Sequence, residues 1–325
     1  MTTQTLRRGR APLFTWQFWI AAVVVFGLIV ASLFIGEYDV LNAEDGWEMF
    51  GITRIPRTIA LILSGAAMAM SGLVLQLLTQ NRFVEPTTTG TTEWAGLGLL
   101  VCMFMFPGAS VLSRMVVAVF FSFIGTMIFF AFLRKVSLRS SIVVPIVGIM
   151  LGAVVSSIST FFALQTNMLQ SLGIWFQGSF TSVYRGQYEV LWIVLIVVFA
   201  IFFYADRLTV AGLGEEVATN LGVQYQRMVL IGTGLIAIAT GVVTVVVGNL
   251  PFLGLIVPNL VSMFRGDDLR SNLPWVCLSG IALVTVCDLI ARTIISPFEI
   301  PVSVVLGIVG AVVFIGLIIR QVRNG

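Results

Sequence analysis

Long stretches without a single charged residue leave this chain few folds to adopt. Trp19 to Gly36, Ile142 to Leu164, Leu191 to Tyr204 and Val302 to Ile319 carry no Asp, Glu, Lys or Arg. Most approach the roughly 20 residues that a helix needs to cross about 30 Å of hydrocarbon. In lipid every peptide group must find its partner inside the protein, which leaves helices or closed barrels, and the apolar/polar alternation of barrel strands is absent. The expected fold is all-α: a polytopic transmembrane helical bundle of about ten spans, forming one membrane domain over residues 1–325. Only 10% of the residues are charged and 58% are hydrophobic, against about a quarter charged in a water-soluble domain.

The expected spans are 15–36, 57–79, 87–106, 110–133, 141–165, 188–205, 228–248, 251–264, 273–293 and 302–320. An even number of crossings puts both termini on one side. With the amino terminus inside, thirteen of the 18 basic residues fall in cytoplasmic segments, and only Arg54, Arg57, Arg114, Arg185 and Arg292 lie outside. Basic loops tend to stay in the cytoplasm, so both termini are expected there, in a prokaryotic inner or plasma membrane. Arg7, Arg8 and Arg10 ahead of an apolar run could suggest a secretory signal. That run is long, however, and no small-residue cleavage site precedes the acidic stretch from Glu37 to Glu48, so a retained first span is expected.

Small residues recur at helical spacing at Gly65, Ala69 and Gly72, and again at Gly148 and Gly152, where they allow helix backbones to approach closely. Pro251, Gly254 and Pro258 interrupt the eighth span, as a kink or as a hinge beside a polar cavity. Cys102, Cys277 and Cys287 lie in apolar stretches, and the chain has no histidine. No metal site or disulfide framework is expected. No basic stripe exists to neutralise a nucleic-acid backbone.

The cytoplasmic loop 206–227 contains Gly214, Glu215, Glu216, Val217, Ala218, Thr219, Asn220, Leu221 and Gly222 in succession. Two glutamates suit the positive end of a short helix, and Gly222 can take the left-handed conformation that ends it. Val217 and Leu221, four apart, would share one face. The loop reads either as a knob docking a soluble partner or as an ordinary solvated helix.

This loop resembles the coupling segment of the iron-chelate and cobalamin permease family of ABC importers, and other motifs match in the same order along nearly the whole chain. Arg54-Ile55-Pro56-Arg57, then Leu63-Ser64-Gly65-Ala66-Ala67 and Ser71-Gly72, are similar to the family's Arg-x-Pro-Arg with its Gly-Ala and Ser-Gly pairs. Gly254-Leu255-Ile256-Val257-Pro258-Asn259 and Gly266-Asp267-Asp268-Leu269-Arg270 resemble its Gly-Leu-x-x-Pro-His and Asp-His-Arg region, with Asn259 in place of histidine. Cys287-Asp288-Leu289-Ile290-Ala291-Arg292 and Glu299-Ile300-Pro301-Val302 resemble its Asp-x-x-Ala-Arg and Glu-x-Pro segments. The stretch from Asn81 to Gly96 departs from the usual pattern and resembles the catecholate siderophore branch.

The resemblance implies a type II ABC importer permease fold. It implies ATPase subunits, carrying ATP and magnesium, that bind Gly214, Glu215, Glu216, Val217, Ala218, Leu221 and Gly222. It also implies an extracytoplasmic siderophore-binding protein whose glutamates meet Arg54, Arg57 and Arg292, and a second permease, identical or related, that completes the pathway. The expected cargo is a ferric siderophore, with cobalamin or haem as the alternative. Pathway candidates are Glu93, Pro258, Asn259 and Asp288. A charge within a span costs at least about 2.5 kcal/mol and normally faces protein or water. Asp288 could therefore line the pathway, be protonated or bond a neighbouring helix.

The chain itself is expected to bind no cofactor and to be no enzyme. Its only lysine, Lys135, is followed by Val136, so the Gly-Lys-Ser/Thr of a nucleotide-binding loop is missing. An intramembrane enzyme would need a nucleophile with a base or a metal cluster. A proton- or sodium-driven transporter, with protons carried by Glu93 and Asp288, is the remaining rival.

Overall fold

The computed structural model describes residues 14–36, 45–135, 143–266 and 269–324. Arg7, Arg8, Arg10, Arg139, Asp267 and Asp268, which entered the charge and motif readings, lie outside the described residues. The described chain is helical, running in order through α1 (Trp16–Phe34), α2 (Gly46–Met49), α3 (Ile55–Leu78), α4 (Thr91–Met105), α5 (Val111–Leu133), α6 (Val143–Gln165) and α7 (Leu169–Phe176). It continues through α8 (Ile193–Ala211), α9 (Glu215–Asn220), α10 (Tyr225–Val246), α11 (Leu253–Arg265), α12 (Leu269–Thr293) and α13 (Val302–Asn324). A π-helical turn, Phe50–Arg54, joins α2 to α3, giving a continuous apolar rod over Gly46–Leu78. Seven helices, counting this rod as one, are long and apolar enough to cross a membrane, and three shorter apolar helices accompany them.

The rod is the centre of the bundle. Its most apolar window is 83% buried, against 11% for α1 at the periphery, and α8, α10, α11 and α12 all pack on α3. Small residues make these approaches possible. A Cβ on Gly72 would lie 2.0 Å from the carbonyl oxygen of Gly254 in α11, and one on Gly65 would lie 2.8 Å from that of Gly280 in α12. Lipid supplies no hydrophobic drive between helices, so such backbone contact is what holds α3 in place. Gly148 and Gly152 serve α6 in the same way, meeting Thr88 and Gly90 of the α3–α4 connection.

Pro258 lies inside α11, and the helix runs through it to Arg265. Proline has no N–H, so the carbonyl of Gly254, four residues earlier, loses its helical donor. The Gln76 amide of α3 donates to that oxygen at 3.2 Å. The α3–α11 seam thus combines glycine contact with a side-chain bond that repairs the proline defect.

Candidate functional site

At one end of the bundle five ionisable groups from three elements converge. The Asp288 carboxylate in α12 has no exposed surface. Arg57 in the first turn of α3 donates to it at 2.8 Å, and Arg292, one turn later in α12, approaches its other oxygen at 2.6 Å. The second Nη of Arg57 spans both oxygens of Glu299, at 3.0 and 2.9 Å, in the loop before α13. Thr181 also donates to Glu299, at 2.8 Å.

Arginine also holds α1. Its last turn leaves carbonyls without helical donors. Arg292 donates to the Ile35 carbonyl at 2.7 Å and to the Ser32 hydroxyl at 2.6 Å, while Arg54 donates to Ile35 at 2.8 Å. The negative end of the helix dipole favours these cations. Arg54, Arg57 and Arg292, expected as outward docking cations, are therefore mostly buried and engaged within the chain. Asp288 sits one turn from Arg292 and draws both guanidiniums inward. Three guanidiniums against two carboxylates leave one positive charge in excess.

Partial burial alone would raise the Glu299 carboxyl. Arg57, Thr181 and Arg292 together outweigh that effect and hold the group below the usual carboxylate range. Glu299 also lines a cavity of about 400 Å³ together with Trp175, Gln177, Ser179, Thr181 and Thr244.

The opposite end carries the knob. Gly214 has φ 101° and Gly222 has φ 79°, bracketing the six residues of α9 with conformations that a side chain resists. Ala218 faces inward and is fully buried, whereas Val217 is 44% and Leu221 62% exposed. Glu215 accepts from the Gln226 amide at 2.8 Å, and Gln226 in turn accepts from Arg134 at the end of α5. These bonds fix the helix while Glu216 and the apolar pair face outward. Glu215, Thr219 and Tyr225 border a groove of about 590 Å³ beside it.

The pathway candidates do not meet on one surface of the single chain. Pro258 and Asn259 line a cavity of about 330 Å³ near the knob, walled by Gln76, Gln80, Thr209 and Asn272. Asn259 donates to the carbonyls of Arg82 and Leu255 at 2.8 and 2.7 Å, so an amide serves where the family usually has histidine. Glu93 lies between α4 and α6, its carboxylate beside Gly152. Asp288 belongs to the arginine cluster. Sequence reasoning missed Ser32, Gln76 and Thr181, whose partners are remote in the chain. Glu85 fell unremarked inside the Asn81–Gly96 stretch and Glu299 entered only as a motif residue, although a carboxylate one or two residues ahead of a proline beside an apolar span was a usable signal.

The chain is matched over residues 18–320 by the model of the FecCD transport family. It is 62% identical to the Petrobactin import system permease protein FatD of Bacillus anthracis, covering 95% of this chain and 92% of that one. The Petrobactin import system permease protein YclN of Bacillus subtilis is 40% identical, over 92% of this chain and 96% of the relative. A solved inward-facing structure of a metal-chelate type ABC transporter superposes with a TM-score of 0.78 at 25% identity, covering 93% of this chain and 98% of that chain. On the match across almost its whole length, the chain belongs to the FecCD transport family, a family of multi-pass ABC importer permeases.

Proposed function

We propose that this chain is the membrane-spanning subunit of an ATP-driven importer of ferric siderophores of the petrobactin type, working in a prokaryotic plasma membrane with both termini in the cytoplasm. The observation that carries the reading is the knob. Val217 and Leu221 are exposed beyond the apolar length of α8, where water and not lipid would meet them. An exposed apolar pair on a rigidly held helix marks a protein contact. The partner is an ATPase subunit, which supplies the ATP and magnesium chemistry, and its closure pushes on α9. Coupling is then a difference in the ATPase's affinity for two permease conformations.

The far end receives the binding protein. The excess positive charge among Arg54, Arg57 and Arg292 favours acidic groups on that partner, which would compete with Asp288 and Glu299 for the guanidiniums. A second permease, identical or related, completes a pathway to which Glu93, Pro258, Asn259 and Asp288 contribute from separate positions. Siderophore is preferred to cobalamin or haem because both relatives named above are named for petrobactin import.

Changing Val217 and Leu221 together to Asp tests the knob. In detergent the double variant is expected to retain at most about a tenth of the wild-type ATPase association, since a few buried apolar anchors dominate such contacts. Its thermal melting should be unchanged. Unaltered association would contradict the docking role.

A further inference from the structure

One segment, residues 79–90 between α3 and α4, touches three of the elements that such a mechanism has to move together. At its start Gln80 packs on the root of the knob: a Cβ on Gly214 would lie 2.7 Å from the Gln80 amide nitrogen. At its end the Thr88 carbonyl and Gly90 rest against Gly148 and Gly152 of α6. Between these contacts it is tied to α11, where Asn259 donates to the Arg82 carbonyl at 2.8 Å.

The second tie is a carboxylate. Glu85 has no exposed surface and accepts from the backbone N–H of Phe252 at 2.8 Å. Its other oxygen is buried without a hydrogen bond among the described residues, close to the start of α11. The first N–H groups of a helix have no partner within it, and the positive end of its dipole favours a negative group. Phe252 itself is held at φ 63°, a conformation uncommon for a bulky residue and maintained only where its surroundings over-determine it. The Glu85 bond is part of that restraint.

We propose that Glu85 is a positioning residue that locks the 79–90 segment to the start of α11, so that a push received at α9 reaches α11 and α6 as one displacement. This rests on the permease reading above. Without the lock, segment and helix shift separately, and ATP hydrolysis no longer drives cargo through the membrane.

The test uses the full complex of permease, ATPase and binding protein in vesicles, with radiolabelled ferric petrobactin as the probe and cargo taken up per ATP hydrolysed as the readout. Glu85→Ala is expected to lower that ratio about tenfold while hydrolysis stays within about twofold of wild type, the scale set by losing one bond to a buried N–H donor. Glu85→Gln keeps an acceptor for the Phe252 N–H and should recover most of the ratio. The proposal is overturned if the alanine variant matches wild type, if hydrolysis falls in step with uptake, or if glutamine recovers nothing. Should the alanine variant fail to fold, Glu85→Asp, whose shorter side chain draws the carboxylate away from the Phe252 N–H, reads the same bond: a lowered ratio supports the lock and a wild-type ratio overturns it. Absence of uptake by the wild-type complex would instead sink the permease reading.

Discussion

Arg57 grips Glu299 with one nitrogen and Asp288 with the other, so a single guanidinium joins α3 to α12 and to the loop before α13. The folded-state pKa of Glu299 lies below its ordinary value. Its stabilisation is therefore fully present above the unfolded pKa of about 4.3 and is lost as pH falls through the folded value. Glu299→Gln is expected to melt below wild type in detergent at neutral pH, by about 1–3 kcal/mol of lost charge-assisted bonding, with the two curves converging as pH falls through the folded-state value. A gap that persists at low pH would contradict the ion-pair account. The sequence made part of this legible: Asp288 and Arg292 stand four apart on a helix, and two arginines open the third. It did not reveal that the last carbonyls of α1, at Ser32 and Ile35, would receive Arg292 and Arg54. That depends on how a peripheral helix packs, and apolar α1 carries no charge to signal it.

At the scale of elements, hydropathy points to helices because length and absence of charge are what lipid demands. Their ends were harder. α8 runs on to Ala211 past the 188–205 stretch, since a helix need not stop where hydrocarbon does, and the rod that contains α3 begins at Gly46, within the acidic stretch and ahead of the expected start at 57. α7 is too short for its apolar residues to be told from those of a span. The choice between kink and hinge at Pro258 could not be made from the sequence, because the donor that repairs it, Gln76, is remote in the chain. The glycine pattern of α3, by contrast, was readable, and its partners explain it. Gly72→Ala should destabilise the purified chain by about 1–3 kcal/mol, the usual cost of overpacking, because its methyl would press on the Gly254 backbone. Thermal melting checks this, and a neutral result would mean that α3 and α11 separate more easily than the seam implies.

The whole molecule has two differently equipped ends joined by one central rod. Arginines and carboxylates cluster where α3 begins, the knob projects beyond where α3 finishes, and Gln76, Gln80 and Glu85 tie the rod's last turn and its outgoing segment to α9 and α11. The motifs in register made the family legible. How its sites are arranged was not, since the pathway candidates belong to three separate surfaces of the chain. On the proposed reading, this chain moves cargo only when other subunits hydrolyse ATP against it. The decisive measurement is uptake of radiolabelled ferric petrobactin into vesicles holding permease, ATPase and binding protein. The expected result is uptake that requires ATP and both partners and continues after the proton gradient is collapsed. Uphill uptake by the chain alone, or uptake that follows the proton gradient and ignores ATP, would contradict it.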